Sequence, residues 1–388
     1  MRRCAIALFA LGFSCAVQLR AADESPYAVA ADLFAPNSAD LGLQPIPGAR
    51  TFTVFRPDEN TDHYSNGAVL IAFKERLYVQ WQSSRQDEDS PDTWVAYSSS
   101  TDGERWTAPR PLSPPNSGVT MHSSGGWWTD GTTLVAFVNV WPTGFQSRTG
   151  GHAVYRLSTD GETWSAPHRL LAHDGQPLEG IIEQDPHAYD GRLHTAFHVA
   201  PGLTAQPHYT DDPLGLRSWV RGSMPHLPRD GATSRELEPS LFQRGAELVM
   251  VFRDQASTFR QLASVSRDRG ETWSLPAVTN MPDSRAKQSA GNLPDGTVFL
   301  VNAPHAGRER IPLAATVSHD GRLFDRSFLL RSARDLQPLR YPGKFKRPGY
   351  HYPKSFVANG YLYVVYTTNK EDVELTRAPL AALENSPR

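Results

Sequence analysis

One short phrase returns along this chain, and its spacing limits the fold more than any other feature. "STDGERW" starts at Ser100, "STDGETW" at Ser158, "SRDRGETW" at Ser266 and "SHDGRLF" at Ser318. A worn copy, "TDDPLGLRSW", starts at Thr210, midway through the one double-length interval. A sixth position, which has lost its Gly and Trp, falls near Thr368 in "TTNKEDVEL". A period of about fifty residues, with an apolar run before each box, is the pattern of a β-propeller. The box reads as a turn rather than a site: Asp and Ser accept backbone N–H bonds, Gly supplies a left-handed backbone angle, and Trp covers the hairpin. A catalytic device has no reason to occur five times.

A second phrase precedes each box: "FKERLYVQW", "TDGTTLVAFV", "YDGRLHTAFHV", "QRGAELVMVFR", "PDGTVFLVN" and "ANGYLYVVYT". Each is a turn followed by an alternating or apolar strand, so six phrases and six box positions give an all-β, six-bladed β-propeller. "TFTVFRP", at Thr51–Pro57, is placed to lend an outer strand to the last blade and leave no free edge. The composition agrees, with 10% aromatic residues, 29 Gly and 31 Pro.

A net charge of -2 without a basic run argues against nucleic acid. No HxxH, HExxH or CxxC spacing, EF-hand loop or phosphate-cradling glycine loop is present, so neither metal nor cofactor is expected. At the start, Arg2 and Arg3 precede an apolar run from Cys4 to Val17 and small residues near Ala21 and Ala22. This reads as a cleaved signal peptide over 1–22, too short for a membrane span, followed by an extension over 23–50 and the propeller over 51–388. Cys15 sits in a poor lipoprotein context. Both cysteines lie in the leader, so a secreted or periplasmic, thiol-free monomer is expected.

The repeated boxes in a six-bladed pattern resemble the Asp-boxes of the sialidase (neuraminidase) superfamily. So does the order "ELEPSLFQRGAELVMVFRD", "NLPDGTVFLVNAPHAGRERIPLAATVSHDG" and "HYPKSFVANGYLYVVYTTNKED" in the later blades. The resemblance implies a glycan partner and an exo-glycosidase that releases a terminal acidic sugar. It implies Arg253 and one of Arg308 or Arg310 as substrate-carboxylate ligands, because a guanidinium fork matches a carboxylate. It implies Tyr352 as nucleophile with Glu238 as its activating carboxylate, and Asp87 or Asp89 as the loop-borne acid/base.

The first blade departs from that pattern. Where the family carries an arginine, the chain reads "DHYSNGAVLIAF", with His63 and Tyr64; Arg56 lies some residues earlier. The His-Tyr pair, with "EDSPDTW" and "QDPHAYDGRLH", also resembles propeller enzymes of uronate polysaccharides, both lyases and rhamnosidases. There a neutral His or Tyr takes a proton beside a carboxylate that Arg neutralises. A glycan-binding propeller without catalysis is the third reading. His187 and His122 are candidates for substrate contact, against the ordinary reading of each as a structural or surface histidine. Trp127-Trp128 is equally a sugar-stacking wall or core. The plain alternative for Arg253 is an edge ion pair, for Tyr352 a packing ring, and for Glu238 a turn cap.

Overall fold

The computed structural model describes residues 25–115, 118–183 and 186–384. The expected leader, with Cys4 and Cys15, lies outside them. Six antiparallel sheets of four main strands follow one another along the described chain. Blade one is built from Tyr64–Phe73, Arg76–Ser84, Trp94–Ser100 and Arg110–Pro111. Blade two runs from Met121–Thr129 to His168–Arg169, and blade three from Ile181–Ile182 to Val220–Arg221. Blade four runs from Glu236–Arg244 to Ala277–Pro282, and blade five from Ser289–Asn292 to Arg326–Arg331. Blade six takes Tyr350–Ala358, Tyr361–Thr368 and Asp372–Pro379 from the end of the chain and its fourth strand, Arg50–Phe55, from the beginning. The expected ring closure is therefore the one found.

Burial explains the sequence pattern of each blade. The second strands are nearly continuous apolar runs, such as Leu248–Phe252 and Leu134–Val138, because neighbouring blades cover both of their faces. Residues ahead of the ring also pack onto it. Tyr27 is buried against Phe242 and Phe324, and Gln44–Pro45 adds a parallel edge strand to blade five. Among the described residues, no helix is long and apolar enough to cross a membrane.

The boxes are turns between third and fourth strands. In four of them the box serine accepts the N–H of the box glycine, Gly103, Gly161, Gly270 or Gly321, at 2.8–2.9 Å. The aspartate takes the N–H groups that follow: Asp102 accepts from Glu104 and Arg105 at 2.8 Å. The worn copy at Thr210 keeps the position, with Trp219 buried beneath it.

The sixth position needs correction. Thr368–Asp372 joins the second and third strands of blade six, at the other end of the blade from the boxes. Ring closure is the reason. Blade six takes its fourth strand from the start of the chain, so no third-to-fourth turn exists there to carry a box.

Candidate functional site

The first strand of a blade begins near the axis, and in four blades it carries a β-bulge at about the same height. The register slips between Asn66 and Val69, Ser124 and Gly126, Leu237 and Ser240, and His351 and Lys354. A bulge adds one residue to one strand and re-aims a side chain. Gly67 and Gly126 take the left-handed angles in blades one and two, at φ 59° and 95°. In blades four and six the same place is held by Glu238 and Tyr352, at φ 53° and 51°, each followed by proline. A left-handed non-glycine residue costs on the order of 1 kcal/mol, and such strain gathers at functional positions.

Both residues line a cavity of about 280 Å³ at this end of the axis. Asp89 and Glu88 enter it from the loop joining the second and third strands of blade one, and Arg253 and Gln255 from the end of the second strand of blade four. Arg253 Nη1 donates to Glu238 Oε2 at 2.9 Å and lies 3.5 Å from Tyr352 Oη, so one guanidinium spans the carboxylate and the phenol. Its Nη2 donates to Gln255 at 2.9 Å. Burial works to raise the Glu238 pKa, but Arg253 and Lys287 outweigh it and hold the carboxyl below its usual range. Burial and then the Glu238 charge push the Tyr352 phenol well up, so it keeps its proton.

Asp89 is the contrasting carboxyl. Burial first, and the neighbouring Glu88 charge second, raise its pKa to about 7. Two carboxyls with opposite shifts therefore share the cavity, the arrangement that separates a proton donor from a proton acceptor.

Arg310 is buried, and its guanidinium lies 5.1 Å from the Tyr352 ring centre. Its Nη1 donates to His351 Nδ1 at 2.7 Å, while His351 Nε2 donates to the Arg347 carbonyl at 3.0 Å. Burial and then Arg310 hold His351 well below its ordinary pKa, which keeps the ring neutral and able to accept that bond. On the opposite wall, Glu183 takes bonds from His198 Nδ1 at 2.8 Å and Lys287 Nζ at 2.7 Å, and the His198 Nε2 faces the Glu238 N–H at 3.4 Å.

The structure thus gathers Tyr352, Glu238, Arg253 and Asp89 in one cavity, with Arg310 behind the tyrosine. It does not gather the rest. Arg308 is exposed, which selects Arg310 of that pair. Arg56 is exposed on the ring-closing strand's exit and pairs with Asp372, so it does not reach the axis. His63 stacks on Tyr341 at 3.8 Å and bonds the Asp58 carbonyl, outside the cavity lining. Asp87 clasps a loop instead: it accepts the N–H groups of Glu88, Lys344 and Phe345. His122 is half-buried next to two lining residues, Met121 and Ser123, without lining the cavity itself; burial and then His152 lower its pKa. His187 stacks with Tyr189 toward the other end of the axis, in a pocket that Trp127 and Trp128 also line. Trp127 is core and donates to the Val69 carbonyl.

Glu88, Glu183, His198, Lys287 and His351 escaped the sequence reading. For His351 a signal existed: it directly precedes Tyr352-Pro353 near the start of a first strand, as Leu237 precedes Glu238-Pro239, whereas Glu183 stands two residues ahead of Asp185-Pro186. Lys287 and His198 carry no such mark.

Comparison with known proteins agrees with this architecture. Residues 75–364 match the model of the BNR repeat-like domain. A search of curated proteins finds no match. Among solved structures, a sialidase superposes with a TM-score of 0.66 at 18% identity over 91% of this chain, which spans only 35% of that protein. The Hadza microbial sialidase Hz136 gives 0.68 at 15% identity, covering 86% of this chain and 69% of its own. A protein of unknown function from Dyadobacter fermentans gives 0.63 at 17% identity, over 86% of this chain and all of its own. Identities this low speak for the fold alone. With the repeat, the closed ring and a family match over most of its length, the chain belongs to the BNR repeat-like family and has a sialidase-like β-propeller fold.

Proposed function

We propose that the protein is an exo-glycosidase that releases a terminal acidic sugar from a glycan. The observation that carries this reading is the meeting of Tyr352, Glu238 and Arg253 in one cavity that also holds Asp89, whose pKa is raised to about 7. A carboxylate on the anomeric carbon would repel a carboxylate nucleophile, whereas a neutral phenol approaches without that cost. In the first step the Tyr352 oxygen bonds to the anomeric carbon and its proton passes to Glu238. The glycosidic C–O bond breaks, and Asp89 gives its proton to the leaving oxygen. In the second, Asp89 takes a proton from water, whose oxygen displaces the tyrosine, and Glu238 returns the phenolic proton. Arg253, which lines the cavity, holds the carboxylate through both steps, and Arg310, behind Tyr352, adds positive charge to that side. Two displacements at one carbon give net retention.

The uronate reading requires His63 or Tyr64 as base. His63 lies outside the cavity lining, and Tyr64 is buried with its hydroxyl on Glu88 at 3.2 Å. The basic and then apolar start of the chain, Arg2 to Val17, supports export to where glycans are met.

The test is parallel incubation with a sialylated glycan and a rhamnose–glucuronate polymer, following free sugar and near-ultraviolet absorbance. Free acidic sugar without absorbance, abolished in Tyr352→Phe, supports the proposal. Absorbance or free rhamnose from the second polymer moves the chain to the uronate enzymes. Binding without turnover makes it a lectin-like propeller.

A further inference from the structure

The carboxylate of Glu238 stands on a backbone conformation that most residues avoid. Glu238 sits at φ 53° in the blade-four bulge, and with Pro239 it lies between the paired residues Leu237 and Ser240 with no residue opposite in the register. A left-handed residue persists only where its surroundings fix it. Here side chains from the two neighbouring blades do so. On one side Gln288, buried just ahead of blade five, donates from Nε2 to the Glu238 carbonyl at 2.9 Å and to the Val251 carbonyl at 3.0 Å. On the other side His198, buried in the second strand of blade three, meets the Glu238 N–H with its Nε2 at 3.4 Å.

A ring nitrogen accepts an N–H only through a lone pair, and an imidazole has one only when it is neutral. Which nitrogen keeps the lone pair is set by the partner of the other. Glu183 Oε1 lies 2.8 Å from His198 Nδ1. Burial works to raise the Glu183 pKa, but Lys287 and then His198 outweigh it and hold the carboxyl well below its usual range. An ionised carboxylate only accepts, so the ring proton stands on Nδ1 and the lone pair on Nε2, toward Glu238. Lys287 Nζ, 2.7 Å from the second Glu183 oxygen, keeps that carboxylate charged and in place. Lys287, Glu183 and His198 are all buried, and all three line the same cavity as Glu238.

We propose that His198 is a positioning residue: locked by Glu183 with its proton on Nδ1, it accepts the Glu238 N–H and holds the Glu238 carboxylate where it meets Arg253 and Tyr352. The inference rests on the acidic-sugar reading above for what Glu238 does with a proton, and the chain Lys287–Glu183–His198 acts through Glu238. Glu238 Oε2 accepts Arg253 Nη1 at 2.9 Å, and the same nitrogen lies 3.5 Å from the phenol oxygen. A turn of the bulge peptide moves the carboxylate away from both, and a misplacement of about 1 Å costs on the order of 10²-fold in rate.

The test joins a spectroscopic reading to kinetics. In protein labelled at the histidine ring nitrogens, the His198 signals are those lost in His198→Gln, and nuclear magnetic resonance reports which nitrogen carries the proton. The expected state at neutral pH is a proton on Nδ1 and none on Nε2; a proton on Nε2 overturns the inference whatever the substrate. Turnover of the sialylated glycan is then compared in wild type, His198→Phe and His198→Gln, as folded protein matched by melting. Phenylalanine keeps a ring without an acceptor, whereas the glutamine carbonyl reaches the place of Nε2 and its amide nitrogen can donate to Glu183. The expected result is a kcat about a hundredfold lower in His198→Phe with KM little changed, and most of it regained in His198→Gln. A His198→Phe that keeps its kcat, a loss that falls on KM, or a folded His198→Gln as slow as His198→Phe overturns the inference. If His198→Phe does not fold, the ring tautomer and the kcat of His198→Gln decide. A wild type with the expected tautomer that releases no acidic sugar overturns the proposed function and leaves the hold on Glu238 standing.

Discussion

Asp89 carries two demands that pull against each other. Its proposed task needs the proton on at working pH, and burial beside Glu88 keeps it there up to about pH 7. The expected kcat/KM therefore falls as pH rises through about 7, and Asp89→Asn removes that limb while lowering turnover by roughly 10²–10⁴-fold. Stability follows the same proton. Below the ordinary carboxyl range both folded and unfolded chains are protonated, and no stability is lost. As pH rises from there to about 7 the unfolded chain sheds a proton that the folded one retains, so this group's contribution drains away. Asp89→Asn, with no proton to lose, is expected to melt higher than wild type at pH 8 and alike at pH 3.5. A melting difference that is the same at both pH values would remove the raised pKa, and with it the acid assignment. Tyr352→Phe is the companion measurement: turnover is lost and the melting point kept, because a single hydroxyl with one long 3.5 Å contact to Arg253 disappears.

At the scale of the element, the box and the bulge divide the labour. The box turns of blades one to five lie at one end of those blades and line none of the cavity at the other. Trp273→Ala, deleting a buried ring over the blade-four hairpin, is expected to cost about 3–5 kcal/mol in urea unfolding. Ser266→Ala strands the Gly270 N–H and is expected to cost about 1–3 kcal/mol. In both, activity per folded molecule should equal wild type; a selective loss of turnover would mean that the boxes reach the site. This division also explains what could be read from the chain. The box is a local device whose Ser, Asp, Gly and Trp are all within a few residues, so periodicity exposed it in four blades and, worn, in a fifth. Tyr352, Glu238, Arg253 and Asp89 were legible because each stands in a phrase that resembles the sialidases. His351 with Arg310, and Glu183 with Lys287, are pairings across blades far apart in sequence, and alternation along one strand carries no information about them. The sixth box was misplaced for a topological reason: a repeat read along the chain does not say where the chain will be cut to close the ring.

That cut governs the whole molecule. Blade six supplies Tyr352, and its His351 holds Arg310 of blade five, yet its outer strand comes from the far end of the chain. Site and closure are thus coupled: if Arg50–Phe55 leaves Asp372–Pro379, the blade that carries the proposed nucleophile loses its edge. The pairing is antiparallel, with Thr51 opposite Thr376 and their hydroxyls 2.9 Å apart, at the outer rim of the blade. A disulfide there would bind the two ends of the ring covalently. The background is clean, because Cys4 and Cys15 are the only cysteines and both can be replaced by serine. Thr51→Cys/Thr376→Cys closes a loop of more than three hundred residues, for which the entropic model gives an upper range of about 5 kcal/mol and experience about 2–4. The oxidised variant should unfold at higher denaturant than its reduced form, with equal turnover in both, since neither residue lines the cavity. If the strand pair is the weak point of the ring, oxidation also slows unfolding, because the contact that opens first is the one now tied. Equal unfolding rates in the oxidised and reduced forms would place the first opening at another blade, and the coupling of closure to site would have to be abandoned.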